Sequence, residues 1–559
     1  MMTDYTRLPL EKQVAQLFMV GYEGRELQSG LRRFLEAGVG GLIFFRDNFE
    51  SYPQADEPHV VLTAHAIWRL LSDLRKMSPA DSSPPPLFGI DQEGGQVERL
   101  PHTMFPTTVT PRAVALAQNS DAQAQAIYRL MAMRLAALGF NLNFCPTLDV
   151  NLNARNPIIG VRAFGDDPET VWRLGHIAIQ EMMAAGIIPV GKHFPGHGNG
   201  TVDSHLDLPT LHYTETELYP FQQAILSDLP AMLVAHGVYP ALQTTSEEQA
   251  LPSSASPVVL QTLLREKCGF KGVIITDDLC MGAITRHRNP VEAALAALRA
   301  GVDILLYRRS GDEEWNVYQA VLEAFRSGDL PISLLEQSLV RIAALKNRFS
   351  RSFEQTRFNE TEWAPDVCRR EADQAALATV SILGGALVEA PSEGPLPVPL
   401  TSRLLLVHPD RSNLGNYAWD VATSENLDVI FRQVGFQTVH SVAYPFQQAL
   451  AISNQLDGLT QSPDYIVFVA FNALLNEEQA LLYRQLQERF PQAALILVSA
   501  ATPYDAQLMP DCRLHLGLCS YRPASMRALA QIVAQGLSLL LVDSTNDVSS
   551  HSTKAFLNR

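Results

Sequence analysis

Over the first 310 residues, short runs of Val, Ile, Leu and Phe alternate with longer stretches in which apolar residues recur every three or four positions. The short runs predict strands at Leu17–Gly21, Gly41–Phe45, Leu87–Asp91, Asn141–Pro146, Ile187–Lys192, Met232–His236, Val273–Asp277 and Asp303–Tyr307. Most are almost continuously apolar, as strands covered on both faces must be. The periodic stretches predict helices over His59–Lys76, Ala122–Leu138, Thr170–Ala185, Glu215–Ser227, Pro257–Lys267 and Val291–Ala300. Eight strands interleaved with helices over about 250–300 residues point to a (β/α)8 barrel, with a doubly wound open sheet as the alternative. The polar residues decide between them. They gather where strands end, at Asp91-Gln92-Glu93, Asp149, Lys192-His193, His236 and Asp277-Asp278. A barrel brings all these ends to one rim, whereas an open sheet strings them along a line. The barrel fits better.

A further helical pattern, Ile332–Arg348, closes this region, and the polar stretch Ser350–Asp366 has no apolar period. Beyond it, Arg369–Val380 reads as a helix running into Ser381-Ile382-Leu383. The runs Leu404–Val407, Ile466–Ala470, Ala494–Val498 and Leu514–Leu518 then alternate with helical Glu477–Arg489 and Pro523–Val533. The expected organisation is a catalytic barrel over 1–348, a linker over 349–366, a smaller layered α/β domain over 367–543, and a polar, disordered tail over 544–559.

A chain of 559 residues is too long for a single core, which agrees with two domains. With 43 Lys and Arg against 59 Asp and Glu, the formal charge is −16. No broad basic face is available to neutralise phosphates, so a nucleic-acid partner is not expected. The six cysteines (Cys145, Cys268, Cys280, Cys368, Cys512 and Cys519) show no Cys-x-x-Cys pair and no zinc spacing. The opening Met1-Met2-Thr3-Asp4 lacks the apolar core of a secretory signal, and no apolar run approaches the ~20 residues of a membrane span. These features predict a cytoplasmic protein with no membrane partner.

Candidate chemistry concentrates in Gly191-Lys192-His193-Phe194-Pro195-Gly196-His197-Gly198, followed by Asp203-Ser204-His205. One Lys, three His and one Asp share fifteen positions at the end of a buried strand. So many ionisable groups are costly to bury without partners, and a Gly- and Pro-rich stretch cannot hide them in a helix. A solvated loop is the bland alternative. A metal pair at His193 and His197 is disfavoured, because Pro195 and Gly196 forbid the helix that would align them. Neither metal nor cofactor is expected. In Thr276-Asp277-Asp278 a buried strand ends in two carboxylates. Successive strand side chains diverge, so only one faces a pocket, and Asp278 reads as a helix cap. In Asp91-Gln92-Glu93-Gly94-Gly95, the acid at the strand end suits sugar hydroxyls, and the glycines match no nucleotide fingerprint. Arg162, in Asn156-Pro157-Ile158-Ile159-Gly160-Val161-Arg162, is either a pocket cation or the partner of a surface carboxylate.

Together these segments resemble glycoside hydrolase family 3 over roughly residues 8 to 345. Thr276-Asp277-Asp278, in place of the Asp-Trp of the β-glucosidase branch, is similar to the bacterial β-N-acetylglucosaminidase branch that trims peptidoglycan fragments. The resemblance implies a retaining exo-glycosidase with Asp277 as nucleophile and His205 as general acid/base, oriented by Asp203. It also implies Asp91, Arg99, Arg162, Lys192 and His193 as sugar-binding residues, with His236 as a lesser contact. Its partner would be a small N-acetylglucosaminyl glycoside. One departure stands out: where the family commonly has Asp-Thr, this chain has Asn199-Gly200, so the anchoring of the loop is expected to differ. Three rivals remain at this stage: a phosphorylase using phosphate as acceptor, a β-glucosidase or β-xylosidase, and an inactive sugar-binding protein.

Overall fold

The computed structural model describes residues 5–50, 60–77, 85–101, 104, 109–201, 207–249, 251–349, 358–384, 396–410, 426–509, 512–537 and 539. Asp203, His205, part of the expected linker (350–357) and the tail (544–559) lie outside the described residues. Eight parallel strands form the first sheet: β1 Phe18–Val20, β2 Gly41–Phe44, β3 Leu87–Ile90, β4 Leu142–Asn143, β5 Ile188–Phe194, β6 Ala231–Val234, β7 Val273–Thr276 and β8 Leu305–Tyr307. From β1 to β7 each strand pairs with the next in sequence, and β1 also pairs with β8. A parallel bridge from Ile275 to Ile304 brings β7 to the start of β8. The strands are wrapped into a (β/α)8 barrel, and every residue in them is buried.

The surrounding helices begin where the sequence supplies caps. Asp167 accepts a hydrogen bond from the Thr170 amide (2.8 Å) ahead of Pro168–Ala184, and Asn289 caps Pro290–Ala300. In both, Pro fills the first turn, where its missing N–H costs nothing. The strand bounds shift from the expected ones by a residue or more throughout, and two of these shifts bear on the site. β4 stops at Asn143 because its side-chain amide takes over the pairing, accepting from Gln92 N (2.9 Å) and donating to Gln92 O (2.8 Å). β5 runs on past Lys192 through Phe194, which carries His193 within the strand as well. Within the stretch expected as linker, Phe358 stacks on His65 and Trp68, and Trp363 lies under Arg134 at 4.6 Å.

The second, smaller sheet contains β9 Ser381–Gly384, β10 Arg403–Pro409, β11 Thr438–Tyr444, β12 Tyr465–Ala470, β13 Ala494–Ser499 and β14 Leu514–Gly517. Its order is β11-β10-β12-β13-β14-β9, parallel except for β9. Helix Glu478–Arg489 buries one face on this sheet, while Pro523–Gln535 is buried around most of its circumference and packs also on helix Pro365–Ala378. The domain leans on the barrel rim. The Tyr504 hydroxyl donates to Asp166 (3.1 Å) and accepts from Asn151 (3.4 Å), and Arg155 pairs with Glu477 at 3.1 Å.

Candidate active site

The carboxyl ends of the barrel strands deliver the ionisable residues, as is usual for this architecture. At the end of β5, Lys192 Nζ lies 2.8 Å from Asp91 Oδ1 and 2.5 Å from Glu93 Oε1, both in the segment that follows β3. Arg162, on the short turn Gly160–Arg162, donates to both oxygens of Glu93 at 2.9 and 2.8 Å. Arg99 Nη2 is 3.5 Å from Asp91 Oδ2, and its guanidinium lies over the Phe45 ring. Glu93 has no exposed side-chain surface, so its charge is sustained only by these cations. Burial alone would raise the Asp91 and Glu93 carboxyls, but Lys192, Arg99 and Arg162 more than offset it and hold both below their usual range. Burial likewise opposes the Lys192 charge, and its two carboxylates outweigh it and keep the amine protonated.

A second buried carboxylate organises the histidines. Asp149 Oδ2 accepts from the His193 amide (3.2 Å) and lies 2.7 Å from His193 Nδ1, while Oδ1 accepts from the His197 amide at 2.7 Å. The Arg162 guanidinium stands 3.1 Å from His193 Nε2. A guanidinium can only donate, so Nε2 accepts and the proton sits on Nδ1, pointing at Asp149. This fixes the tautomer. Burial opposes the Asp149 charge, but His193 and His197 prevail and lower its pKa. The His197 ring is buried with neither nitrogen hydrogen-bonded, and that burial keeps it neutral. His197-Gly198 passes directly over the Val150 carbonyl, where any Cβ on Gly198 would fall 1.6 Å from that oxygen.

Downstream, Asn199 ties down the base of the segment leading to Asp203 and His205. Its side chain donates to His212 O (2.6 Å) and accepts from His212 N (3.0 Å), and its own amide donates to Glu217 Oε1 (3.1 Å). Its side-chain N–H also points at Glu217, which burial raises to about 7. An Asp at this position would lack that donor and oppose a second acid. The departure from the family pattern is thus a different anchor.

On β7's end the two carboxylates separate, though not by the means expected. Asp278 caps no helix. Its Oδ1 accepts the amides of Cys280 and Arg308, each at 3.0 Å, tying the turn after β7 to the segment after β8. Burial raises it to about 6 despite these amides. Asp277, half-buried at the rim, accepts the Asp278 amide at 2.8 Å. His236, after β6, places Nδ1 2.7 Å from Ser254 Oγ and Nε2 3.2 Å from the Asp278 carbonyl, beneath that turn. Glu93 and Asp149 belong to the strand-end polar set but receive no role from sequence. Glu93 sits two residues beyond Asp91, and only the fold reveals that Asp149 serves residues 44 and 48 positions downstream. Among the described residues no group of three His, Cys, Asp or Glu is placed to hold a metal ion, and no helix is long and apolar enough to cross a membrane.

The family model described as the glycosyl hydrolase family 3 N-terminal domain matches residues 9–345. A β-hexosaminidase A of Pseudoalteromonas piscicida is 33% identical over 397 residues, covering 67% of this chain and 63% of that protein. A β-hexosaminidase of Vibrio cholerae is 34% identical over 336 residues, 59% of this chain and 90% of that one. Among solved structures, a glycoside hydrolase family 3 β-N-acetylglucosaminidase from Paenibacillus sp. superposes with a TM-score of 0.82 at 29% identity. That match covers 94% of this chain and 97% of that one, both domains included.

Proposed function

Because this chain belongs to glycoside hydrolase family 3, we propose that it is a retaining exo-β-N-acetylglucosaminidase acting on peptidoglycan-derived or related glycosides. The observation that carries this reading is the bank of paired charges at the rim: Asp91, Arg99, Arg162, Lys192 and His193, with Glu93 beneath. Carboxylates accept from sugar hydroxyls and the cations donate to them, in a site rigid enough to orient one ring. Asp277 attacks the anomeric carbon while the bond to the leaving oxygen breaks and His205 supplies that oxygen's proton. Water, deprotonated by His205, then displaces Asp277 and restores the enzyme. Asp203 orients the imidazole. The 2-acetamido preference follows the β-hexosaminidase relatives.

The test is to assay nitrophenyl β-glycosides of N-acetylglucosamine, glucose and xylose side by side, in phosphate and in phosphate-free buffer. The N-acetylglucosaminide is expected to dominate, with free sugar released in both buffers. A slow fluorinated substrate should label Asp277, and Asp277→Ala should lose several orders of magnitude in turnover. Label on Asp278 or Glu93 would overturn the nucleophile, and sugar 1-phosphate would make the enzyme a phosphorylase.

A further inference from the structure

The second domain carries no residue of the proposed chemistry, yet it reaches into the sugar-binding turn of the barrel. That turn is a tight hairpin: Glu93 N donates to Val97 O (2.9 Å) and Gly94 N to the same oxygen (3.3 Å). Its tip is Gly94-Gly95, with φ of 103° and 65°, a backbone that side-chain-bearing residues rarely adopt. Asp91 and Glu93 lie on one arm, Glu98 and Arg99 on the other. The barrel fixes the base: Asn143 holds Gln92 N and O, and Gln92 Oε1 accepts the amides of Arg99 (3.0 Å) and Leu100 (3.3 Å). The tip is held from outside the barrel.

Arg522, the residue before helix Pro523–Gln535, donates through Nε (3.1 Å) and Nη2 (2.7 Å) to the Gly95 carbonyl. Its guanidinium is buried and 3.6 Å from Glu98, whose carboxyl oxygens are buried with no hydrogen bond of their own. Three residues earlier, the Cys519 carbonyl accepts from Thr110 Oγ1 (2.9 Å). Thr110 in turn packs so closely on Gly95 that a Cβ there would fall 2.2 Å from its methyl. One segment of the second domain therefore holds the turn directly through Arg522 and indirectly through Thr110 of the barrel.

We propose that Arg522 is a positioning residue for the sugar pocket: by clamping the Gly95 carbonyl it sets where Asp91 and Arg99 stand. This rests on the reading of those two as contacts to the terminal sugar. Both oxygens of Asp91 already meet Lys192 and Arg99, so a shift of the turn moves sugar acceptor and donor together. The second domain is thus part of the binding site without touching the reacting atoms.

The experiment compares the full-length wild type with Arg522→Met, Arg522→Lys and Thr110→Val. It measures kcat and KM on the nitrophenyl N-acetyl-β-glucosaminide and Ki for free N-acetylglucosamine. Arg522→Met should raise KM and Ki together by about tenfold while kcat stays within about threefold, the signature of lost uniform binding. Arg522→Lys, which keeps a donor, should recover part of the loss. Arg527→Met serves as the structural control: it breaks the 2.6 Å pair with Asp373 rather than the contact with the turn, so it should lower Tm and leave KM unchanged. A folded Arg522→Met with wild-type KM and Ki, or with kcat alone reduced, overturns the proposal. If that variant does not fold, wild-type KM in both Arg522→Lys and Thr110→Val overturns it instead. Asp91→Ala with unchanged KM would refute the sugar-pocket reading itself, and the Arg522 proposal with it.

Discussion

Replacing Asp149 by Asn isolates the buried carboxylate that holds the two histidines. Asp149 is fully buried and accepts three N–H groups, the two amides and His193 Nδ1. Asn has one accepting oxygen and one donating amide. With its oxygen towards His193, the new NH2 faces the His197 amide, donor against donor. Turned over, it faces the His193 amide, and Nδ1 can accept only if the ring proton moves to Nε2, which stands 3.1 Å from the Arg162 donor. Every orientation opposes a buried donor, at about 1–3 kcal/mol, and the surviving hydrogen bonds lose their charge assistance. The expected loss is about 2–3 kcal/mol of stability, the cost of that opposed buried donor together with the weakened hydrogen bonds. Displacement of the His193 ring and Arg162 should cost kcat/KM a further ~10²-fold. Urea unfolding at pH 7 and steady-state kinetics read the two effects separately.

The pH dependence of that loss has a definite sign. The folded pKa of Asp149 is depressed, so its contribution is fully present above the ordinary carboxylate value of 3.8. It disappears as pH falls through the depressed value, so wild type and Asp149→Asn should converge in acid. A stability loss below ~1 kcal/mol with near-normal kcat/KM would mean that Asp149 does not organise the site.

Two further predictions test other parts of the molecule. His205→Ala should cripple hydrolysis of natural disaccharide-type substrates far more than formation of the glycosyl-enzyme from nitrophenyl substrates, because only a poor leaving group needs the proton. Azide should restore turnover of the activated substrate and yield the β-glycosyl azide, and equal losses on both substrates without rescue would remove His205 from the acid/base role. Lys346 is buried with Gln16 Oε1 at 2.8 Å, and burial lowers it from 10.5 to about 7. The folded state then binds fewer protons than the unfolded chain between those values, so the penalty is full below pH 7 and fades towards pH 10.5. Lys346→Met should therefore be more stable by roughly 2–4 kcal/mol at pH 6, with the gain shrinking at pH 9. A pH-independent difference in urea unfolding would refute this.

The barrel was legible because a strand buried on both faces must be almost wholly apolar, and its helices announce themselves through caps and a 3.6-residue period. Elements that break those patterns escaped. β11 alternates buried Val439, Val442 and Tyr444 with exposed Thr438, His440 and Ala443, the signature of an edge strand with one dry face, and a search for continuous apolar runs passes over it. The helices Ser29–Ala37 and Asp312–Ser327 lie outside the stretches the apolar period predicts, although Gly38 and Gly328 close them in the left-handed conformation. From sequence Asp278 reads as a helix cap, because an acid at a strand-to-helix junction usually is one. Of its two amide partners, Cys280 is local, but Arg308, thirty residues on, is within reach only once the ends of β7 and β8 lie close.

The same limit applied inside the site, where type and position of the charges were legible but their pairing was not. The rim rule places Asp91, Lys192 and Arg162 together, yet it cannot say which charges remain for a ligand. Burial can. The Glu93 side chain is 0% exposed and that of Lys192 3%, whereas Asp91 and Arg99 retain 17% and 18%. Glu93 is saturated by Arg162 and Lys192, and His193 has both ring nitrogens engaged by Asp149 and Arg162. Asp91 and Arg99 are therefore the most exposed charges of the set, with Lys192, Glu93, Arg162 and His193 behind them as a rigid backing. Removing a backing residue exposes an uncompensated buried charge, whereas removing Asp91 or Arg99 should take away the proposed sugar contact with less cost to the fold. The most exposed charges of the set are thus those on the Gly94-Gly95 hairpin, whose tip is anchored in the second domain.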